Sequence, residues 1–167
     1  LVGLNLRDKI KLGASGKIVS AFDIASVLAI GADWANSARG FMFAIGCIQS
    51  QSCHTNKCPT GVATQDNLRQ RALVVPDKAQ RVFSFHRNTL KALAEMLAAA
   101  GLQHPSQLEA KHLVRRMSAT EIKLFSQLHV FLKPGELLTG EVNGEFYSRM
   151  WQLARADSFE PNTEAAA

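Results

Sequence analysis

The sequence has no long apolar run. Its 167 residues are 47% hydrophobic, yet no stretch approaches the roughly 20 consecutive apolar residues that a membrane-spanning helix needs. The alanine tract at 98–100 lies inside an amphipathic pattern. The chain also opens without the apolar segment of a secretory signal peptide. These absences predict a protein with no membrane span, and we expect it in the cytoplasm.

A concentrated stripe of basic charge is also missing. Nineteen Lys and Arg against fourteen Asp and Glu give a net charge of +5, but the basic residues alternate with acids apart from short runs such as Arg115–Arg116. A nucleic-acid groove needs basic residues clustered on one face together with exposed aromatic side chains. The sequence therefore predicts no nucleic-acid partner, and either an ordinary solvated surface or a face for an anionic ligand.

Familiar catalytic arrangements are absent as well. We find no Ser/His/Asp set, no paired carboxylates and no internal repeat, so we predict no catalytic residue in this chain.

The length suffices for one core with a helical appendage. It is short for a complete eight-stranded α/β barrel, which takes about 250 residues.

Cysteine is scarce, and its three copies are clustered at Cys47, Cys53 and Cys58. Three thiols cannot pair off evenly, and such crowding in a reducing compartment favours metal or cluster ligation over disulfides. With five and four residues between them, a loop can turn all three sulfurs toward one inorganic body. Pro59 follows the last cysteine, as is common for ligands of iron–sulfur clusters. The spacing predicts a cluster held by three thiolates.

Two other interpretations of the cysteines remain open on the residues alone. With His54 they form a Cys3His set that could hold tetrahedral zinc, although structural zinc sites usually show two short cysteine clips. Alternatively, Cys47 is a small buried apolar residue and the other two are loop thiols without a metal.

The first part of the chain has the order of a parallel α/β fold. Strand patterns are followed by glycine turns, and each turn is followed by a helix pattern. In order, the predicted elements are a strand over 9–13, a turn over Gly13–Gly16, a helix opened by the capping box Ser20–Asp23 and ended by Gly31, a strand over 31–37, a turn over Ala38–Gly40, and a short buried helix over Phe41–Ile45.

The two glycine turns are candidates for an anion site. Because parallel strands end at the same edge, loop N–H groups from both turns would point at one spot. One lip would consist of Ser15, Gly16 and Lys17, and the other of Ala38, Arg39 and Gly40. Phosphate is the expected guest, with charge supplied by the lysine or the arginine.

The rest of the chain is predicted to be mostly α-helical. Pro76 opens a long helix with an apolar stripe, and Gly101 ends it. Two further capping boxes, Ser106–Glu109 and Ser118–Glu121, are each predicted to open a short helix. A last amphipathic helix is predicted over 145–156, and residues 160–167 are predicted to be a disordered tail.

The stretch from Gly46 to Gln65 carries a family resemblance, through its three cysteines, His54, Asn56 and the run from Cys58-Pro59 to Gly61-Val-Ala-Thr-Gln65. It resembles the cluster loop in the FMN-binding domain of glutamate synthase large subunits and of the shorter glutamate-synthase-like proteins. The likeness extends upstream through 31–42 and downstream to about 116. The later helices, with the run at 154–159, are closer to the short proteins.

The resemblance implies a fold and cofactors. The fold would be the last two β/α units of a (β/α)8 TIM barrel with an iron–sulfur loop, followed by a helical extension. Cys47, Cys53 and Cys58 would hold a 3Fe–4S cluster, and the two glycine turns would hold the phosphate of FMN. Electrons would pass between cluster and flavin, and reduced FMN would make glutamate from 2-oxoglutarate and ammonia.

The resemblance also implies a division of the chain and its partners. Residues 1–101 would complete the barrel, with the cluster loop at 46–65, and residues 102–159 would form the extension. The partners would be the remaining N-terminal part of the barrel, an electron-donor subunit or protein, and 2-oxoglutarate. We expect this carboxyl-terminal segment to be inactive alone. The competing hypothesis is a zinc-stabilised helical interaction module without redox activity.

Overall fold

The structure is a computed structural model that describes residues 1–140 and 142–162. By packing, the chain divides into two compact units. The sheet unit runs from Leu12 to Leu113, and the hairpin unit combines residues 1–11 with the chain from Val114. This packing boundary lies beyond the predicted boundary after residue 101, because the segment up to Leu113 packs into the sheet unit. Residues 163–167 of the predicted tail lie outside the described residues.

A parallel β-α-β arrangement opens the sheet unit. Strand β1 (Gly13–Ser15) pairs with strand β2 (Trp34–Asn36) in parallel, and helix α1 (Ala21–Ala29) connects them. The predicted order of elements is confirmed. The first strand, however, is predicted over 9–13 and lies instead in the predicted turn, whereas the second lies inside its predicted range and is shorter. The ladder begins only at Gly13 because the N–H of Leu12 donates to the side chain of Asp33, at 2.7 Å, instead of to a strand carbonyl.

The capping box of α1 is present as predicted. The Asp23 N–H donates to Ser20 Oγ at 3.2 Å, and the Ser20 N–H donates to Asp23 Oδ2 at 2.8 Å, so two otherwise unpaired N–H groups of the first turn are satisfied. The buried face of α1 consists of Ala21, Ala25 and Ala29. Their small side chains allow the helix to pack closely.

Helix α2 (Arg39–Ala44) starts earlier than predicted and is only half-buried. One face packs on helix α4 (Val75–Ala99), where Phe41 meets Phe85 edge-on with ring centroids 5.2 Å apart. Apart from the buried Gly40, the residues of α2 are half-buried or exposed. A short helix α3 (Asn67–Gln70) lies between α2 and α4 in the chain, capped by Asp66.

The long helix α4 agrees with the sequence prediction. Pro76 lies in its first turn, where a missing N–H costs nothing, and Gly101 follows its end with φ 72°. Leu93 and Leu97 are buried. They face the segment after the helix, where Leu108, Ala110 and Leu113 are also buried.

The predicted helix at Ser106 is a pair of single 3-10 turns, Pro105–Gln107 and Ala110–His112. The first is capped by His104 rather than by Ser106, since the His104 ring nitrogen Nδ1 accepts from the Ser106 N–H at 3.2 Å. Pro105 is the first residue of this turn, one residue before the predicted start.

The hairpin unit corrects the prediction of a mostly helical extension. Strands β3 (Val114–Arg116) and β4 (Ile122–Leu124) pair antiparallel. The predicted capping box Ser118–Glu121 forms the turn between them, because the N–H groups of Met117 and Ser118 both donate to the Glu121 carbonyl. No helix begins at Ser118.

The described residues of the hairpin unit also form three short helices: α5 (Phe125–Leu128), α6 (Glu136–Thr139) and α7 (Glu145–Leu153). Helix α7 ends before the predicted residue 156. The N-terminal 3-10 turn Val2–Leu4 packs on α6, and Gly3 lies so close to Leu137 that a Cβ there would come within 2.7 Å of the leucine Cγ. Among the helices that the structure describes, none has the length and apolarity needed to cross a bilayer.

Candidate functional site

The two predicted phosphate loops lie at the same edge of the sheet. Ser15, the last residue of β1, pairs in register with Asn36, the last residue of β2. Because the strands are parallel, both chains leave the sheet side by side. The loops are also bonded to each other, since the Ser37 hydroxyl donates to the Ile18 carbonyl at 2.8 Å. The structure therefore brings the two halves of the predicted anion site together.

The first loop exposes its backbone. Ser15, Gly16 and Lys17 are all exposed, and Gly16 has φ 112° with no atom within 4 Å of the position a Cβ would take. Lys17 also has a positive φ, 55°. Such a loop leaves N–H groups and the lysine side chain available to an anion from solution.

The second loop combines exposed charge with a tightly packed glycine. Ala38 and Arg39 are exposed, whereas Gly40 is buried. A Cβ on Gly40 would lie 2.8 Å from the Phe85 ring and 2.8 Å from Ser37 Oγ. The glycine therefore leaves room for the Phe85 ring of α4. It also leaves room for the Ser37 hydroxyl, which bonds to the other loop. Together, Lys17 and Arg39 give this edge two cationic side chains.

The three cysteines occupy different environments. Cys47 is half-buried just after α2, and its N–H donates to the Met42 carbonyl at 2.9 Å. Cys53 is exposed at the start of the 3-10 turn Cys53–Thr55, and Cys58 is buried. Within residues 1–140 and 142–162, no group of three or more His, Cys, Asp or Glu side chains is arranged to hold a metal ion. Convergence of the three sulfurs stays a prediction.

Cys58 has the surroundings of a thiolate. Hydrogen bonds lower its pKa to about 7, first that from the Thr60 hydroxyl and then those from the N–H groups of Ala63, Thr60 and Val62. The Thr60 Oγ1 lies 3.5 Å from the sulfur. The thiolate is the form that ligates metals, and N–H donors to sulfur are typical around iron–sulfur clusters. The donor chemistry around Cys58 thus fits a cluster ligand.

Asn56 organises the chain beyond Cys58. It has φ 61°, a left-handed conformation that asparagine tolerates, and its Oδ1 accepts from the Gln65 N–H at 2.6 Å. The Thr64 hydroxyl lies 2.7 Å from its carbonyl oxygen. These bonds close residues 56–65 into a loop around the sulfur of Cys58.

Three contributors escaped the sequence prediction of site residues: Asn56, Thr60 and Lys78. Lys78 projects from the first turns of α4 toward the turn before Cys47, and its ammonium lies 3.8 Å from the position of a Cβ on Gly46. One signal could have identified it. A lysine close to a helix N-terminus faces the positive end of the helix dipole, which is unfavourable without another partner.

A family model covers both phosphate loops and the cysteine loop. The model for the conserved region in glutamate synthase matches residues 1–103. The glutamate synthase large subunit-like protein YerD of Bacillus subtilis is 41% identical over 128 residues, which are 76% of this chain and 24% of that protein.

Two other relatives match smaller shares of the chain. The ferredoxin-dependent glutamate synthase of Pyropia yezoensis is 39% identical over 97 residues, 58% of this chain and 6% of that protein. The archaeal-type glutamate synthase (NADPH) of Dehalococcoides mccartyi is 30% identical over 122 residues, 71% of this chain and 24% of that protein. The chain spans at most about a quarter of the length of these relatives. With the cysteine loop and the paired glycine turns, the family match shows that this chain belongs to the glutamate synthase family.

Proposed function

We propose that this chain is the segment of a glutamate-synthase-like oxidoreductase that holds the FMN phosphate and a 3Fe–4S cluster, and that it works within a longer polypeptide. One observation carries the proposal. Helix α2 begins inside the second phosphate loop at Arg39 and ends at Ala44, just before Cys47. At 1.5 Å per residue, a helix of this length spans about 9 Å, so the second phosphate loop and the first cysteine flank one short helix.

The residues of the phosphate site would bind and orient the FMN phosphate. Ser15, Gly16 and Lys17 from the first loop and Ala38, Arg39 and Gly40 from the second would hold the FMN phosphate through N–H groups and two cationic side chains. The Ser37 bond to Ile18 would keep the loops at a fixed separation. The phosphate would thereby be anchored at one end of α2.

The residues of the cluster site would ligate the iron atoms and donate hydrogen bonds to a ligating sulfur. Cys47, Cys53 and Cys58 would be the three ligands, with Thr60 and neighbouring N–H groups donating to the Cys58 sulfur. When bound, the cluster and FMN supply the electron and hydride transfer by which 2-oxoglutarate and ammonia become glutamate. The partners we propose are an electron-donor protein and 2-oxoglutarate.

We also propose that β1, α1 and β2 are the last units of a (β/α)8 barrel. A parallel sheet is normally buried on both faces, yet Trp34 in β2 is 46% exposed. Further parallel strands and helices would cover this surface. The 167 residues would accordingly be inactive by themselves.

The test is a cofactor analysis of the complete gene product purified without oxygen. We expect bound FMN, about three iron atoms with acid-labile sulfide, and broad visible absorption. Cys53→Ser should abolish the cluster absorption, whereas Ser50→Ala in the same loop should leave it unchanged. A colourless protein with a single zinc would overturn the proposal. Turnover of 2-oxoglutarate by the isolated segment, with ammonia and a chemical reductant, would overturn its inactivity.

A further inference from the structure

One face of the two-stranded sheet is apolar where the strands begin and polar where they end. In register, Gly13 pairs with Trp34 and Ser15 pairs with Asn36. Because successive side chains of a strand alternate between the two faces, these four residues share one face. A Cβ on Gly13 would overlap the indole of Trp34, so the indole covers the start of β1. The strand ends on this face carry the side chains of Ser15 and Asn36.

This polar pair lies on the face away from helix α1. The helix packs against β2, and the alternate strand residues Ala14 and Ala35 are half-buried. Ser15 and Asn36 are exposed on the opposite face. In a (β/α)8 barrel the helices form the outer ring, so the face away from them lines the interior. Asn36 would therefore lie at the inner rim of the proposed barrel, at the carboxyl ends of its strands.

The side chain of Asn36 has no protein partner among the residues that the structure describes, and neither has the Ser15 hydroxyl. Both groups are exposed to water in this segment. Once a barrel encloses them, an amide without a partner would cost free energy, because buried polar groups are normally hydrogen-bonded. A ligand in the mouth of the barrel would supply the missing partner.

The position of Asn36 determines which part of FMN it would meet. Its register partner Ser15 belongs to the first phosphate loop, and the second loop begins two residues after Asn36, at Ala38. Asn36 therefore lies beside the phosphate site, on its interior side. In FMN the phosphate is attached to the ribityl chain, whose hydroxyl groups both donate and accept hydrogen bonds. A neutral amide also does both, whereas it brings no charge to a phosphate.

We propose that the side chain of Asn36 binds a hydroxyl group of the ribityl chain of FMN. This inference rests on the proposed function, since it requires the FMN phosphate at the two loops. The flavin is then held at two points, the phosphate by the loops and the ribityl chain by the end of β2. The contact at Asn36 directs the ribityl chain from the phosphate toward the barrel interior.

The test compares three flavins that differ by these groups. Riboflavin lacks the phosphate of FMN, and lumiflavin carries a methyl group in place of the whole ribityl chain. Affinities are measured by flavin fluorescence on the complete gene product stripped of its flavin. In Asn36→Ala we expect FMN and riboflavin to bind about three- to tenfold more weakly, the effect of one lost neutral hydrogen bond, and lumiflavin to bind as in the wild type. Asn88→Ala removes an exposed asparagine on α4 and should leave all three affinities unchanged.

The outcomes separate this inference from the proposed function. A wild-type protein that does not bind FMN overturns both. Unchanged riboflavin affinity in Asn36→Ala overturns only the inference, and so does an equal loss for lumiflavin, because the flavin ring or the folding of the site would then be responsible.

A second variant decides if Asn36→Ala fails to fold. Asn36→Asp keeps the size of the side chain but places a carboxylate beside the phosphate in place of the amide. FMN should then weaken more than riboflavin, because the two anions repel each other, and lumiflavin should bind as in the wild type. Wild-type affinity for FMN and riboflavin in Asn36→Asp would overturn the inference.

Discussion

The hydroxyl of Thr64 lies 2.7 Å from the carbonyl oxygen of Asn56 and 2.9 Å from its Oδ1. The same Oδ1 accepts from the N–H of Gln65, so one side chain closes the loop that surrounds Cys58. Asn56 itself has φ 61°. Its amide therefore acts in two ways, through the hydrogen bonds and through the tolerance of asparagine for this conformation.

Replacing Asn56 should open this loop. In Asn56→Ala the lost acceptor and the left-handed backbone together should cost about 2 kcal/mol, and the amides of 60–66 should exchange faster with deuterium. Asn56→Gly removes only the acceptor and should cost about half as much. Hydrogen exchange with mass spectrometry on the complete gene product measures both. Unchanged exchange at Gln65 in both variants would contradict the role of the side chain.

The helix caps and helix ends of the sheet unit could be predicted from the sequence. Ser20 and Asp23 form a capping box, and Pro76 and Gly101 mark the ends of a long helix, because these residues act on neighbours in the chain. The paired loops after β1 and β2 were also predictable, since parallel strands must end together. The family of the cysteine motif was predicted correctly for the same reason: its spacing is local.

The hairpin unit shows where this reasoning fails. Ser118 and Glu121 have the spacing of a capping box, yet they lie in the turn between β3 and β4. The strands on both sides are three residues long, too short for alternation to distinguish them from helix starts. Pairing of Val114 with Leu124 decides the outcome, and this contact is not visible in the spacing of serine and glutamate. Lys78 was missed because its contact with Gly46 links distant parts of the chain.

Adding one methyl group to Gly40 should disturb the second phosphate loop. The Cβ of Gly40→Ala would lie 2.8 Å from the Phe85 ring, and such overpacking costs about 1–3 kcal/mol. Thermal or urea unfolding of the complete gene product measures the loss. In the double variant with Phe85→Leu the smaller side chain makes room, so the two costs should sum to more than the observed loss. Strict additivity would show that the two residues do not compete for space.

Glu136 should make the hairpin unit sensitive to acid. The buried carboxylate accepts N–H groups from Lys133, at 2.6 Å, and from Asn143, and these bonds lower the pKa of Glu136 below its ordinary value. Because the pKa of Glu136 is lower in the folded than in the unfolded protein, its carboxylate contributes fully to folding stability above the unfolded pKa of about 4.3. This contribution is lost as the pH falls from there through the folded pKa.

The measurement is thermal unfolding between pH 3 and 7, followed by tryptophan fluorescence. Glu136→Gln should be less stable than the wild type at pH 7, and this difference should shrink toward pH 3. Glu160→Gln changes an exposed carboxylate in the same unit and should show little difference at any pH. A constant gap between wild type and Glu136→Gln would contradict the assignment of this acid sensitivity to Glu136.

The two cations of the phosphate loops should distinguish FMN from riboflavin. Lys17→Gln and Arg39→Gln each remove one charge that the proposed function directs at the phosphate, and a charge-assisted hydrogen bond contributes about 1.5–3 kcal/mol. We expect FMN affinity to fall about tenfold or more in each variant, measured by flavin fluorescence on the complete gene product stripped of its flavin. Riboflavin lacks the phosphate, so its affinity should stay the same. Arg81→Gln on α4, an exposed arginine, is the control. If riboflavin weakened as much as FMN, the loops would contact another part of the flavin or act only through folding, because a phosphate contact cannot affect a ligand without one.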